Sequence, residues 1–187
     1  KIILTDCIQS YSVILSQNTE FEKRIKIKQI NDSDNKIEIR FYKHEELSST
    51  MDLKVLELKG DSWKGTQYSE SNYPKAKIKQ LQLEASKGFP ELVKMLLKHN
   101  LTRLPSQEEL KPRMKKYGEV HEKRGRSENV IFVNDGYSYT VEFKIGDTFR
   151  IYSFSNPEIY ADFYDDVQEL KDYVGIMNIF ETELKKK

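Results

Sequence analysis

A single α+β domain built on antiparallel hairpins is what this sequence predicts, and three observations lead there. Alternating apolar and polar residues recur between turn signals, as in Ile37, Ile39 and Phe41 against Glu38, Arg40 and Tyr42. The apolar period changes to that of a helix after Phe89, and again after Pro157. Strands come in runs with the helices segregated from them, which favours α+β over a parallel sheet. The expected architecture is a set of hairpins or a meander forming one sheet. It is packed with a central helical segment and a C-terminal helix, in one domain over residues 1–187.

The elements follow in order. Residues 1–20 carry no clear pattern. Phe21 to Ile30 alternates partly and is read as a strand, joined by the turn chemistry of Asp32-Ser33-Asp34-Asn35 to a second strand at Lys36 to Lys43. Leu53 to Leu58 is a third strand, closed by Gly60-Asp61. Trp63 to Tyr68 and Lys75 to Leu83 are the fourth and fifth, on either side of a polar loop. Leu92, Val93, Leu96 and Leu97 recur at helical spacing behind Pro90, with Asn100 as the C-cap. Ser106 and Glu109 form a capping box for a short helix that Pro112 disturbs. Residues 111–128 read as a basic, mobile connection. Val130 to Val133 is an apolar strand before the turn Asn134-Asp135-Gly136. Tyr137, Tyr139, Val141 and Phe143 line one face of the next strand. Gly146-Asp147 turns the chain into Phe149, Ile151 and Ser153, with Arg150, Tyr152 and Phe154 opposite. Asn156-Pro157 reads as a helix N-cap and first-turn proline. The stripe Tyr160, Phe163, Val167, Leu170 and Val174 follows, Gly175 is a point of kinking or division, and Met177, Phe180 and Leu184 finish the helix.

Composition narrows the function classes. The chain has 187 residues, enough to bury roughly 70% of its unfolded surface without a staple. Only 37% of residues are hydrophobic and 33% are charged, so a modest core lies inside a heavily solvated surface. Basic and acidic residues number 31 and 30, which gives no net basic field and disfavours nucleic acid as a partner. Lys outnumbers Arg, and Ile, Asn and Tyr are common, a usage read as AT-rich bacterial coding. Cys7 is the only cysteine, which excludes an intrachain disulfide and a cysteine metal cage. Polar residues interrupt Ile2 to Leu15, and no apolar run approaches the ~20 residues that span a bilayer. Leu4-Thr5-Asp6-Cys7 is a poor match to a lipoprotein cleavage site, because Asp6 stands where a small residue is needed.

Catalytic and metal-binding patterns fail one by one. His44-Glu45 and His121-Glu122 begin a zinc-protease pattern, but Ser48 and Gly125 stand where the second His belongs. His99 reads as a helix-terminal cation. Asp32, Asp34 and Asn35 do not make a calcium loop, because Lys36 stands at a ligand position and Ile37 at the position of the glycine. The eight glycines are scattered, so no phosphate cradle forms, and no nucleophile elbow is present. No catalytic residue, metal or cofactor is assigned. Two constellations remain as candidate sites. Tyr137, Tyr139, Arg150 and Tyr152, with Trp63, offer an aromatic and Arg surface of the kind binding sites favour, although strand packing favours the same residues. Arg150 and Tyr152 are placed near Ser138 or Thr140 across the hairpin. Lys111, Arg113, Lys115, Lys116, Lys123, Arg124 and Arg126 form a cationic patch for an anionic partner. The alternative is a solvated loop drawn to Asp162, Asp165, Asp166, Glu169 and Asp172.

Trp63-x-Gly65-x-x-Tyr68, Leu104-Pro105, Asp135-Gly136-x-x-Tyr139 and Arg150-x-Tyr152-x-x-x-Asn156-Pro157 occur in this order. Residues 60–185 thereby resemble a group of uncharacterised exported bacterial proteins. The resemblance implies a periplasmic or secreted location and lends no catalytic residues. The expectation is a non-enzymatic binding or interaction domain of the bacterial cell envelope, with a protein, peptide or glycan as partner. Two alternatives stand beside it. One is a cytoplasmic immunity-type or regulatory protein. The other is an enzyme whose site assembles only in the fold, which a pocket holding close carboxylates of raised pKa would favour.

Overall fold

The computed structural model describes residues 15–45, 47, 50–71, 77–117, 128–131, 133 and 135–187. Cys7, His121, Lys123, Arg124, Arg126, Asn134 and the Leu4–Cys7 motif lie outside the described residues. The architecture is α+β. A seven-stranded antiparallel sheet carries helices on both faces.

The described chain begins in a helix, α1, over residues 15–25. This corrects the strand expected at Phe21 to Ile30. Phe21 and Ile25 satisfy a helical period as well as an alternating one, and Asn18 and Glu22 complete an i, i+3, i+4, i+7 stripe. The turn chemistry is present, but it joins a helix to a strand. A 3-10 turn at Ile30–Asp32 leads into Ser33, whose Oγ accepts the Asn35 N–H at 3.2 Å. Strands β1 (Ile37–Glu45), β2 (Met51–Lys59), β3 (Ser62–Ser71) and β4 (Lys77–Ala85) then form a meander.

Helix α2 (Phe89–Lys98) starts with Pro90 in its first turn and ends at His99, with Asn100 in the left-handed conformation just beyond. Helix α3 (Gln107–Leu110) has the expected capping box, in which Glu109 Oε2 accepts the Ser106 N–H at 2.7 Å. β5 (Lys116–Tyr117) and β6 (Glu128–Asn129) pair separately from the main sheet. Val130, Ile131 and Val133 are not in a strand, which corrects the apolar strand expected there. β7 (Tyr137–Ile145) and β8 (Thr148–Ser155) are a hairpin, and β7 pairs with β1.

Asn156 behaves differently from the expected cap. It adopts φ +44°, and its side-chain Oδ1 accepts the Tyr137 N–H at 3.1 Å, so it closes the β7–β8 hairpin. The C-terminal segment divides earlier than expected. α4 (Pro157–Phe163) stops at Tyr164, and α5 (Gln168–Thr182) runs straight through Gly175. A glycine is needed there because the His99 ring lies against its backbone, where a Cβ would collide. Leu184 does not finish the helix; it opens β9 (Leu184–Lys186), which pairs with β4. The sheet order is β8-β7-β1-β2-β3-β4-β9.

Alternation divides the strands between two cores. Ile39, Phe41, Leu56, Leu83, Val141, Phe143, Tyr152 and Phe154 face α2–α5 in the larger core. Tyr42, Leu53 and Val55 face the other way, onto Phe21 of α1, in a smaller one. β8 is an edge strand, and edges invite unwanted pairing. Here α3 covers it: Ser106 Oγ accepts the Ser153 N–H at 3.3 Å, and Gln107 Oε1 accepts the Ser155 N–H at 2.6 Å.

Candidate binding cleft

The face beneath α1 is where polar chemistry collects. On β1 the residues between the core positions are Glu38, Arg40 and Tyr42, which the alternation marks as an outward face. α1 and the turn after it cover that face, so Glu38, Arg40 and Tyr42 are buried, with 2%, 2% and 1% exposure. A buried guanidinium must find partners for its fork of donors. Arg40 does. Its Nε donates to Glu38 Oε1 at 2.7 Å, one Nη donates to Glu22 of α1, and the other donates to the Lys28 carbonyl at 2.7 Å. Burial opposes the charge on Arg40, but Tyr42 and the flanking carboxylates outweigh it and hold the pKa above its ordinary value.

Glu38 is held equally firmly. Its second carboxylate oxygen accepts the Ser33 hydroxyl and the Asn35 Nδ2 donor, the latter at 2.8 Å. Asn35 Nδ2 also lies 3.1 Å from Glu57 Oε1, so one amide bridges carboxylates on neighbouring strands. These groups wall a cleft of 290 Å³ lined by Ile27, Lys28, Ser33–Asn35, Glu38, Arg40, Val55, Glu57, Lys59, Lys64 and Tyr68. Burial, and then the Glu57 carboxylate, push the Tyr68 phenol pKa up, which keeps its proton available for donation. The cleft therefore presents fixed acceptors, a phenol donor, an aromatic wall and three flexible ammonium groups.

Also buried under α1 is the Glu142 carboxyl of β7, close to the Tyr42 hydroxyl. Burial pushes its pKa up to about 7, and the Glu22 carboxylate adds to the rise. It is not among the cleft-lining residues. A hollow of 510 Å³ lies elsewhere, beside α4 and α5, where the charged lining side chains Glu158, Asp162 and Lys171 are solvent-exposed.

The residues singled out from sequence fall elsewhere. Tyr139 and Tyr152 lie in the larger core, 5% and 0% exposed, in stacking contact with Phe154. Register puts Arg150 opposite Phe143 and Tyr152 opposite Val141, which corrects the expected proximity to Ser138 and Thr140. Those two side chains occupy the other face, where Thr140 and Ser153 hydroxyls hydrogen-bond at 2.9 Å. Arg150 donates to the carbonyls of Thr102 and Leu104 at 3.2 and 3.1 Å, which ties down the α2–α3 connection. Trp63 stacks on Phe89 with ring centroids 5.9 Å apart. Tyr137 stays exposed, with the Lys43 ammonium 4.5 Å above its ring. The structure thus distributes these five residues over core, connection and surface, and does not bring them into one site.

Of the cationic patch, Lys111 pairs with Glu108, Arg113 grips Glu169 with both Nη groups, and Lys116 donates to the Phe163 carbonyl near Asp165. Lys115 is exposed. Two of the acidic residues expected to attract this stretch do so.

The sequence reading missed Arg40, Glu22 and Glu142. A charged residue at an alternate strand position reads as solvated, and only the helical stripe of Asn18, Phe21, Glu22 and Ile25 signals that something covers it. Among the described residues no group of His, Cys, Asp or Glu is arranged to hold a metal ion, and no helix is long and apolar enough to cross a membrane. No family model, curated protein or solved structure matches the chain.

Proposed function

We propose that the chain is a non-enzymatic binding domain of the bacterial cell envelope, and that its site is the polar cleft beside α1, which takes a neutral saccharide. The observation that carries this reading is the chemistry of the lining. Lys28, Arg40, Lys59 and Lys64 face Asp34, Glu38 and Glu57, so charge nearly cancels within the cleft. Balanced charge suits a neutral ligand rather than an anion or a cation. Vicinal hydroxyls can donate to the Glu57 carboxylate while accepting from Lys59, Lys64 and the Tyr68 phenol. The Tyr68 ring gives an apolar wall on which a sugar face can pack.

The test is a calorimetric titration with neutral oligosaccharides, acidic oligosaccharides and peptides, on the intact chain and on Tyr68→Ala. The neutral sugar should bind, and Tyr68→Ala should weaken it by roughly tenfold, the loss typical of a central aromatic contact. Binding of peptide alone would replace the saccharide reading with a protein-partner one. Fractionation addresses the compartment separately, since recovery from the cytosol alone would remove the envelope from the proposal.

One observation favours an enzyme instead: Glu142, with its raised pKa, has the poise of a general acid or base. It sits beneath α1, outside the cleft lining, and so lacks contact with anything bound there.

A further inference from the structure

Five ionisable side chains, Glu22, Glu38, Arg40, Tyr42 and Glu142, meet under α1 with an unequal count of protons and charges. Among the described residues, Arg40 is the one cation bonded within the group of Glu22, Glu38 and Glu142. Glu38 is fully engaged by Arg40, Ser33 and Asn35. Glu22 Oε1 accepts from Arg40 and from the Tyr42 hydroxyl, the latter at 2.6 Å. Glu142 Oε2 lies 3.3 Å from the same Tyr42 oxygen. A phenol has one proton to give. The shorter contact takes it, so the Tyr42–Glu142 contact is a hydrogen bond only if Glu142 carries a proton and donates it to the Tyr42 oxygen.

We propose that Glu142, Tyr42 and Glu22 form a proton-holding clasp that fastens α1 to the sheet, and that loss of the Glu142 proton loosens the helix. With the proton gone, two carboxylates flank one hydroxyl in a buried space, and Arg40 offsets only part of their charge. Across the β1–β7 ladder Arg40 stands opposite Glu142, and the remaining charged groups on the neighbouring strands make their contacts elsewhere. Lys144, two residues along β7, donates to the Asn31 and Ser33 carbonyls. His44, further along β1, lines a separate hollow with Glu20 and Arg24 of α1 and Glu70 of β3. Across the β7–β8 ladder, Glu142 faces Ile151, which is uncharged. Ile27 and Lys28, immediately after α1, wall the cleft, so loosening α1 changes that wall. The clasp does not depend on what the cleft binds.

The sign follows from a native Glu142 pKa near 7 against an ordinary value of 4.5. Its stabilising contribution is complete below the ordinary value, declines as pH rises from there, and is lost once pH passes the native value. Trypsin reads the helix directly, because Lys23 and Arg24 lie in α1. Cleavage there, normalised at each pH to the denatured chain, should be roughly tenfold faster at about pH 8 than at about pH 6. Glu142→Gln, which keeps a donor at this position permanently, should be protected equally at both. A flat response in the wild-type protein, or an unchanged rise in Glu142→Gln, would overturn the proposal. If Glu142→Gln does not fold, infrared titration of the wild type decides. A protonated-carboxyl band that vanishes near neutral pH is expected, and its absence across the range contradicts the clasp.

Discussion

Arg40→Ala should lower the stability of the folded chain by about 3–5 kcal/mol, the cost of stranding buried carboxylates. Arg40 joins three elements: Glu22 on α1, Glu38 on its own strand, and the Lys28 carbonyl in the turn between them. Removing the guanidinium leaves Glu22 and Glu38, 6% and 2% exposed, without a cation beside them. Arg40→Lys should recover little, because a point ammonium cannot serve three directions at once. Adding Glu22→Gln and Glu38→Gln to the Arg40→Ala background should restore part of the loss, since neutral amides tolerate burial better than unpaired charges. Urea denaturation of the four proteins checks this. A midpoint shift in Arg40→Ala no larger than that of a surface substitution would mean that the network contributes nothing to the fold.

Phe180→Ala should cost a comparable amount, about 3–5 kcal/mol, by a different mechanism. Phe180 is fully buried and stacks on Phe41 with centroids 4.4 Å apart and planes 7° off parallel. Truncation opens a cavity between α5 and the centre of the sheet, which the neighbouring strands cannot collapse to fill. The backbone there is also occupied, since the Phe180 carbonyl accepts the buried Lys54 ammonium at 2.9 Å. A shift of α5 to close the cavity would break that bond. Phe149, 38% exposed on the edge strand, provides the contrast, and Phe149→Ala should change stability by about 0.5 kcal/mol or less. Equal effects from the two truncations, measured by thermal or urea unfolding, would contradict the placement of the larger core.

Much of the fold is legible in the sequence because its strands alternate cleanly. Ile37, Ile39 and Phe41, and then Tyr139, Val141 and Phe143, announce both the strands and the face they bury. What alternation cannot say is whether the second face is wet. Glu38, Arg40 and Tyr42 have the pattern of a solvated face, yet α1 buries them, and α1 itself is disguised by the partial alternation of Phe21, Ile25 and Ile27. The candidate site was hidden for the same reason. Tyr139 and Tyr152 of the aromatic hairpin are core, because strand packing selects aromatics as strongly as ligand binding does. Asn156 shows a smaller version of this ambiguity. An Asn before a Pro fits a helix cap, but here its amide closes a hairpin to Tyr137, a contact set by the β7–β8 register. Leu184 fits both the helical stripe and a strand, and only the open edge of β4 decides between them.

The most direct test of the binding reading is heteronuclear NMR of the labelled protein during titration with a neutral oligosaccharide. Saturable shifts should concentrate on the backbone amides of Lys28, Asn35, Glu57, Lys64 and Tyr68, around the cleft. Saturable shifts elsewhere, or none at concentrations where weak sugar binding is visible, would contradict the assignment of this cleft as a saccharide site.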